Sequence, residues 1–165
     1  MSLPDGARLP DGARLAVDVG TVRIGVAVAA AGTTVAVPVE TVAAGPEAVS
    51  RVAQIAAEQA AEVVYVGDPI RLNGEVGPAA LAARDFATRL TRNMAQSDSS
   101  VTVLVRMVDE RLTTAQSGRQ MRAAGRSTRH ARQVLDQAAA VAILQNALER
   151  ESAAGRLAGV NVEQD

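Results

Sequence analysis

Three carboxylates occupy positions where a carboxylate is unusual. Asp18 lies near the end of the apolar run Leu15-Ala-Val-Asp-Val-Gly20. A buried carboxylate is costly unless it is paired, hydrogen-bonded or bound to a metal. Asp18 is therefore either an acceptor for turn amides near Gly20 or a ligand. Asp136 shares one helical face with Ala140, Ile143 and Ala147, because residues three to four apart stack on the same side of a helix. That face of small apolar residues would lie close on a sheet, with Asp136 either ion-paired to an arginine or acting as a ligand. Glu110 follows the strand-like run Val101–Val108, where the chain leaves the sheet. It is either a charged strand end or the third member of a set. Acids from three separate segments repel one another unless a cation is present. Oxygen-only ligands suit Mg²⁺ or Mn²⁺ better than zinc. Two such ions about 3.5–4 Å apart would activate a water and stabilise the leaving oxygen of a phosphodiester.

A basic block accompanies the acids. Between Gln116 and Arg132 stand Arg119, Arg122, Arg126, Arg129 and Arg132, with His130 and no acid, and Arg106 and Arg111 lie just upstream. In a chain of net charge −1 such a block is either a solvated helix surface or a phosphate-facing patch. Only two aromatic residues, Tyr65 and Phe86, are present. Contacts to nucleic acid would then be to backbone and shape, not by base stacking.

Composition removes several other chemistries. There is no cysteine, so a disulfide scaffold, a thiolate nucleophile and a cysteine zinc site are excluded. Every one of the 17 basic residues is arginine, which excludes a P-loop lysine and a Schiff base. His130 is the sole histidine, too few for a histidine metal cage. The longest apolar run, Ile24–Ala31, is far short of the ~20 residues that span a bilayer. With no basic-then-apolar leader at the start, the expectation is a cytoplasmic protein.

The elements that must position these residues follow from periodicity. Residues 1–13 repeat LPDGAR and read as a flexible leader, 14–150 as one domain, and 151–165 as a flexible tail poor in bulky apolar residues. Arg14–Val19 and Val22–Ala29 read as a hairpin about Gly20-Thr21, and Thr33–Thr41 as a third strand with Pro38 suited to an edge. A helix opens at Gly45-Pro46, a buried strand covers Glu62–Gly67, and a helix starts at Pro78. Val101–Val108 is a fifth strand. Thr113 and Gln116 have capping-box spacing for a helix ending near Gly125, and a last helix covers about 128–150. The expected fold is α/β: a mixed five-stranded sheet, its first three strands antiparallel, flanked by helices.

These motifs in this order resemble the YqgF/RuvX family. The residues that carry the likeness are Asp18-Val-Gly-Thr-Val-Arg-Ile-Gly-Val-Ala27, Gly67-Asp-Pro69, Leu72-Asn-Gly74, Asp109-Glu-Arg-Leu-Thr-Thr114, Leu135-Asp-Gln-Ala-Ala139 and Ile143-Leu-Gln145. The resemblance implies an RNase H-like fold and a nuclease of 16S rRNA precursors, also described as like a Holliday-junction resolvase. It implies that Asp18, Glu110 and Asp136 are the catalytic, metal-holding set, and that Arg23 and Arg111 order the site or touch phosphate. One departure is Asp68, where the family usually has an apolar residue. It is either an auxiliary ligand or a solvated loop residue.

The leading expectation is thus a metal-dependent nuclease maturing the 5′ end of pre-16S rRNA, with Mg²⁺ or Mn²⁺. Its partner would be structured RNA or, in the alternative, branched DNA. The chain would act as a monomer or a non-covalent homodimer. Two other classes compete. The hairpin at Asp18 resembles the phosphate-binding hairpin of the actin and sugar-kinase group, but that group needs two such lobes. A non-catalytic binding module would lack part of the acidic set, and all three acids are present.

Overall fold

The computed structural model describes residues 9–97, 100–110 and 129–163, with backbone alone for 129–134. Among the described residues six strands and three helices follow in the order β1 (Ala13–Val19), β2 (Arg23–Ala29), β3 (Val37–Ala43), α1 (Ala48–Glu58), β4 (Ala61–Asp68), α2 (Pro78–Ala95), β5 (Leu104–Asp109), α3 (Arg129–Ala154) and β6 (Val160–Asn161). They form one mixed sheet in the order β3-β2-β1-β4-β5-β6. The first three strands make an antiparallel meander, β1, β4 and β5 run parallel, and β6 returns antiparallel to β5.

Strand alternation divides the side chains between two faces. On one, Leu15, Val17, Ile24, Val26, Val64 and Val66 pack with Val52 and Ile55 of α1 and Phe86 and Leu90 of α2. On the other, Ala16, Ala27, Val63 and Tyr65 pack under Ala140, Ile143, Leu144 and Ala147 of α3. Each fully buried aliphatic or aromatic side chain contributes about 1.5–3 kcal/mol. Ala139, Ala140 and Ala147 among the packed residues of α3 let this helix lie close on the strands. Gln137 Nε2 donates to Thr41 Oγ1 at 2.9 Å, and Gln145 Nε2 to the Thr34 carbonyl at 3.0 Å, which docks α3 across the β3 side.

The sheet has six strands, not the five expected, and the segment read as a loose tail supplies the sixth. α3 continues to Ala154, and the chain then turns at Gly155 and Gly159, both at positive φ (68° and 71°). Arg106 holds the return by donating from Nε to the Ala158 carbonyl at 2.6 Å and from Nη2 to the Gly159 carbonyl at 2.7 Å. Ala158, Leu157 and Val162 pack against the two cores as well, but so few apolar residues in a Gly-broken segment give no strand or helix period to read. β3 begins at Val37, later than expected, because Thr33 closes a turn onto Ala30 and Gln145 takes up Thr34 and the Ala36 amide. Pro38 does lie on an edge strand, opposite Ala27 where the β2–β3 register shifts, a setting that tolerates its missing N–H. The expected helix from Thr113 to Gly125 lies outside the described residues.

Candidate active site

Asp18 is the last α3-facing residue of β1 and is 1% exposed. Its α3-side orientation follows from alternation with Arg14, which bonds Glu151 of α3, and Ala16, which packs under that helix. Glycines flank it on both neighbouring strands. On β2 its register partner is Gly25. On β4, Gly67 comes one position after Val66, as Asp18 comes one after Val66's partner Val17.

Each glycine admits another acid. A Cβ on Gly25 would collide with the backbone carbonyl of Asp136 and sit 2.6 Å from its carbonyl carbon. The helix therefore rests directly on the strand at Asp136, and this is possible only because Gly25 has no side chain. A Cβ on Gly67 would collide with Glu110 Oε1, 2.8 Å from Glu110 Cδ and 2.7 Å from Ile143 Cδ1. Glu110, just past the end of β5, thus lays its carboxylate over the β4 backbone toward β1. It is 2% exposed, and Asp136 is 5%. The three acids share one face and the edge formed by the C-terminal ends of the parallel strands, where open α/β sheets bind ligands.

They do not close into a three-carboxylate ligand set as they stand: among the described residues no three His, Cys, Asp or Glu side chains form a metal-holding group. Asp136 is turned toward Arg23, whose Nε donates to Oδ2 at 3.0 Å. The pairing of Asp136 with an arginine is therefore present, and the arginine is Arg23, at the start of β2.

Asp68 is not in a solvated loop, and although its carbonyl accepts the Glu110 amide at 3.3 Å, its carboxylate is not on the face of the other acids. It ends β4 and is 7% exposed. Alternation sets it on the opposite face from Gly67, where Arg84 of α2 donates to its Oδ2 from Nε at 3.2 Å and from Nη2 at 2.9 Å. An acid one residue further along a strand points through the other side of the sheet. Arg111, Arg119, Arg122 and Arg126, with the Thr113 cap, lie outside the described residues, as does the side chain of Arg129.

Sequence reasoning quotes Gly25 and Gly67 within motifs but gives them no role. A glycine inside a strand is itself the sign of a close approach, and both glycines were legible on that rule. It also misses a buried polar cluster at the other end of α3. Arg14 donates from Nε to Glu151 Oε1 at 3.0 Å and from Nη1 and Nη2 to the carbonyls of Gly12 (2.7 Å) and Pro10 (2.8 Å). The Tyr65 hydroxyl donates to the same Glu151 oxygen. Burial, then the Glu151 carboxylate, push the Tyr65 pKa well above its ordinary value.

Comparison with known proteins now bears on this geometry. The model of the family described as "RuvX: Holliday junction resolvase" matches residues 12–150. The chain belongs to the RuvX family. Among curated RuvX-like relatives, a Streptomyces coelicolor protein named "Putative pre-16S rRNA nuclease" is 46% identical over 161 residues, covering 96% of this chain and 93% of that protein. A protein of the same name from Nocardia farcinica is 44% identical, covering 94% of this chain and 88% of that one. Among solved structures, "T. thermophilus RuvC in complex with Holliday junction substrate" superposes with a TM-score of 0.53 at 15% identity, covering 91% of this chain and 99% of that chain. The last comparison shows a shared fold, the RNase H-like architecture expected from the RuvX resemblance. Among the described residues no helix is long and apolar enough to cross a membrane.

Proposed function

We propose that this RuvX-family chain is a nuclease that hydrolyses phosphodiester bonds at the Asp18 edge, acting in the cytoplasm on the 5′ end of pre-16S rRNA. The observation that carries the reading is the pair of glycines flanking Asp18, one under Asp136 and the other under Glu110. Three buried acids gathered on one face lower stability through mutual repulsion; Gly25 lets α3 pack directly on β2, and the gap at Gly67 is filled by the Glu110 carboxylate together with Ile143. The relatives' names point to the same substrate.

The residues fit a hard divalent cation by kind and by burial: carboxylate oxygens only, on the rim of the strand ends. Asp18 and Glu110 would hold Mg²⁺ or Mn²⁺, with Asp136 completing the set. Such ions supply an activated water and neutralise charge on the departing oxygen. The protein's own part is to keep those carboxylates dry and oriented. Glu110 is fixed by its seat on Gly67, and Asp136 by the contact of its backbone with Gly25. Arg23, Arg111, Arg119, Arg122, Arg126 and Arg129 would grip phosphates, so affinity falls with salt. The protein works as a monomer or a non-covalent homodimer. Asp68, held by Arg84 on the other face, has no part in the reaction.

A second reading, resolution of branched DNA, is favoured by the printed description of the family model. The test is cleavage, with Mg²⁺, of an end-labelled RNA spanning the 16S 5′ end against a four-way DNA junction. Cuts in the RNA with the junction intact support rRNA maturation. Cuts in the junction alone select the second reading.

A further inference from the structure

Arg23 and Asp136 form a contact that hydrolysis by itself does not need. The guanidinium gives only Nε to Asp136 Oδ2, at 3.0 Å. Arginine usually meets a carboxylate with two parallel bonds, yet neither Nη of Arg23 has a hydrogen-bond partner among the described residues. Its side chain is 21% exposed against 7% for Asp136. The exposed part of Arg23 thus faces outward at the edge where a phosphodiester would lie, while its inner nitrogen neutralises an acid wanted by the cation.

Those two demands pull in the same direction. A cation at the site needs the negative charge that Arg23 cancels, and a phosphate needs the positive charge that Asp136 cancels. The exchange requires no movement of α3, whose backbone stays on Gly25 and whose Gln137 stays on Thr41.

We propose that Arg23 is a positioning residue that restrains Asp136 until a phosphodiester draws the guanidinium away, so that divalent ion and nucleic acid bind cooperatively. The inference rests on the reading of this edge as a metal-dependent nuclease site. Coupling of this kind is reciprocal: each ligand tightens the other by the same factor. It would keep the ion site weak in the absence of substrate.

The test is calorimetric titration of Mn²⁺ into the full chain, with and without a 2′-O-methyl RNA hairpin that resists cleavage. Wild-type protein is expected to bind Mn²⁺ about 10-fold tighter with the hairpin than without, within the usual range of coupling. Arg23→Gln should bind Mn²⁺ without the hairpin about as tightly as wild type does with it, and the hairpin should then add less than about twofold. Arg23→Lys, which keeps one charged donor, should restore most of the coupling. A thermal melt confirms that each variant is folded. Equal Mn²⁺ affinity and equal coupling in wild type and Arg23→Gln would overturn the restraint and leave the nuclease reading standing. No Mn²⁺ binding by either protein would overturn both.

Discussion

Glu110 rests its carboxylate on the backbone of Gly67, in the space that a methyl group would fill. Gly67 sits next in register to Asp18, on the strand hydrogen-bonded to β1. The contact therefore sets the lateral distance between two acids that come from segments 92 residues apart in sequence, 18 and 110. On the other side of Asp18, Gly25 does the same for Asp136, but through the helix backbone.

The two glycines should fail differently when replaced. In Gly67→Ala the new methyl meets the flexible ends of Glu110 and Ile143, which can turn aside. We expect a loss of about 1 kcal/mol in stability and a loss of cleavage of 100-fold or more, a roughly 3 kcal/mol effect. In Gly25→Ala the methyl meets the Asp136 carbonyl, and α3 must lift. We expect about 3 kcal/mol of destabilisation, the upper end for overpacking. Urea unfolding alongside a cleavage assay separates the two. Full cleavage by Gly67→Ala would remove the role given to Glu110.

Asp18→Asn keeps the shape of the side chain and removes its charge. We expect cleavage to be abolished, nucleic-acid affinity in Ca²⁺ or without metal to be within about twofold of wild type, and the melting temperature to stay level or rise. Relieving repulsion among buried acids favours the folded state, a common trade at active sites. Filter binding, a melt and a cleavage assay check the three parts. Wild-type cleavage by the variant would place the chemistry elsewhere.

How far the sequence foretold this site depends on what each residue's neighbours disclose. Asp18 and Asp136 were legible because each interrupts an apolar pattern, and desolvation makes such an interruption informative. Glu110 was legible as a strand-end acid, although its lean over Gly67 depends on β5 pairing with β4, a contact between segments about 40 residues apart. The two-faced sheet followed from alternation. β6 did not, because its two residues are too short a run to show a period, and the Arg106 guanidinium that pins the return has partners that periodicity does not disclose. Asp68 is not the solvated loop residue that one of its two readings expects: it is buried at the end of β4, and its strand parity can be counted only once β4 is known to extend to it.

The cluster at the far end of α3 gives a pH prediction with a single responsible group. The chain has one tyrosine, no lysine and no cysteine, so Tyr65 is the only side chain whose ordinary pKa falls between about 8 and 11. Folding raises that pKa, through burial and then the Glu151 carboxylate. The unfolded chain therefore loses its proton first. The stabilisation is whole below pH ~10 and declines as pH rises above it. Denaturation midpoints measured from pH 7 to 11.5 should fall above pH 10 in wild type and stay flat in Tyr65→Phe. A fall of the same size in the variant would contradict the assignment.

Glu151→Leu should be far more damaging than Tyr65→Phe. It leaves the Arg14 guanidinium, 7% exposed, without its carboxylate. Breaking one partner of a buried pair costs about 3–5 kcal/mol, against about 1 kcal/mol for the tyrosine hydroxyl. Chemical denaturation gives both values. Cleavage by whatever fraction remains folded should match wild type, since the cluster sits at the opposite end of β1 from Asp18.

Arg122→Glu with Arg126→Glu should weaken RNA binding and flatten the dependence of log affinity on log salt. The slope should drop by roughly 0.7 for each phosphate no longer neutralised on single strands, or 0.9 on duplex. Titrations at 50 to 200 mM salt would show it. An unchanged slope would mean that the basic block faces solvent and not the nucleic acid.

The most direct test of the whole account is anomalous diffraction from crystals soaked in Mn²⁺. The expected result is a peak on the α3 side of the sheet, within coordinating distance of Asp18 and Glu110, that disappears in Asp18→Asn. Manganese bound only elsewhere, or a peak at that edge that survives loss of the Asp18 charge, would contradict it.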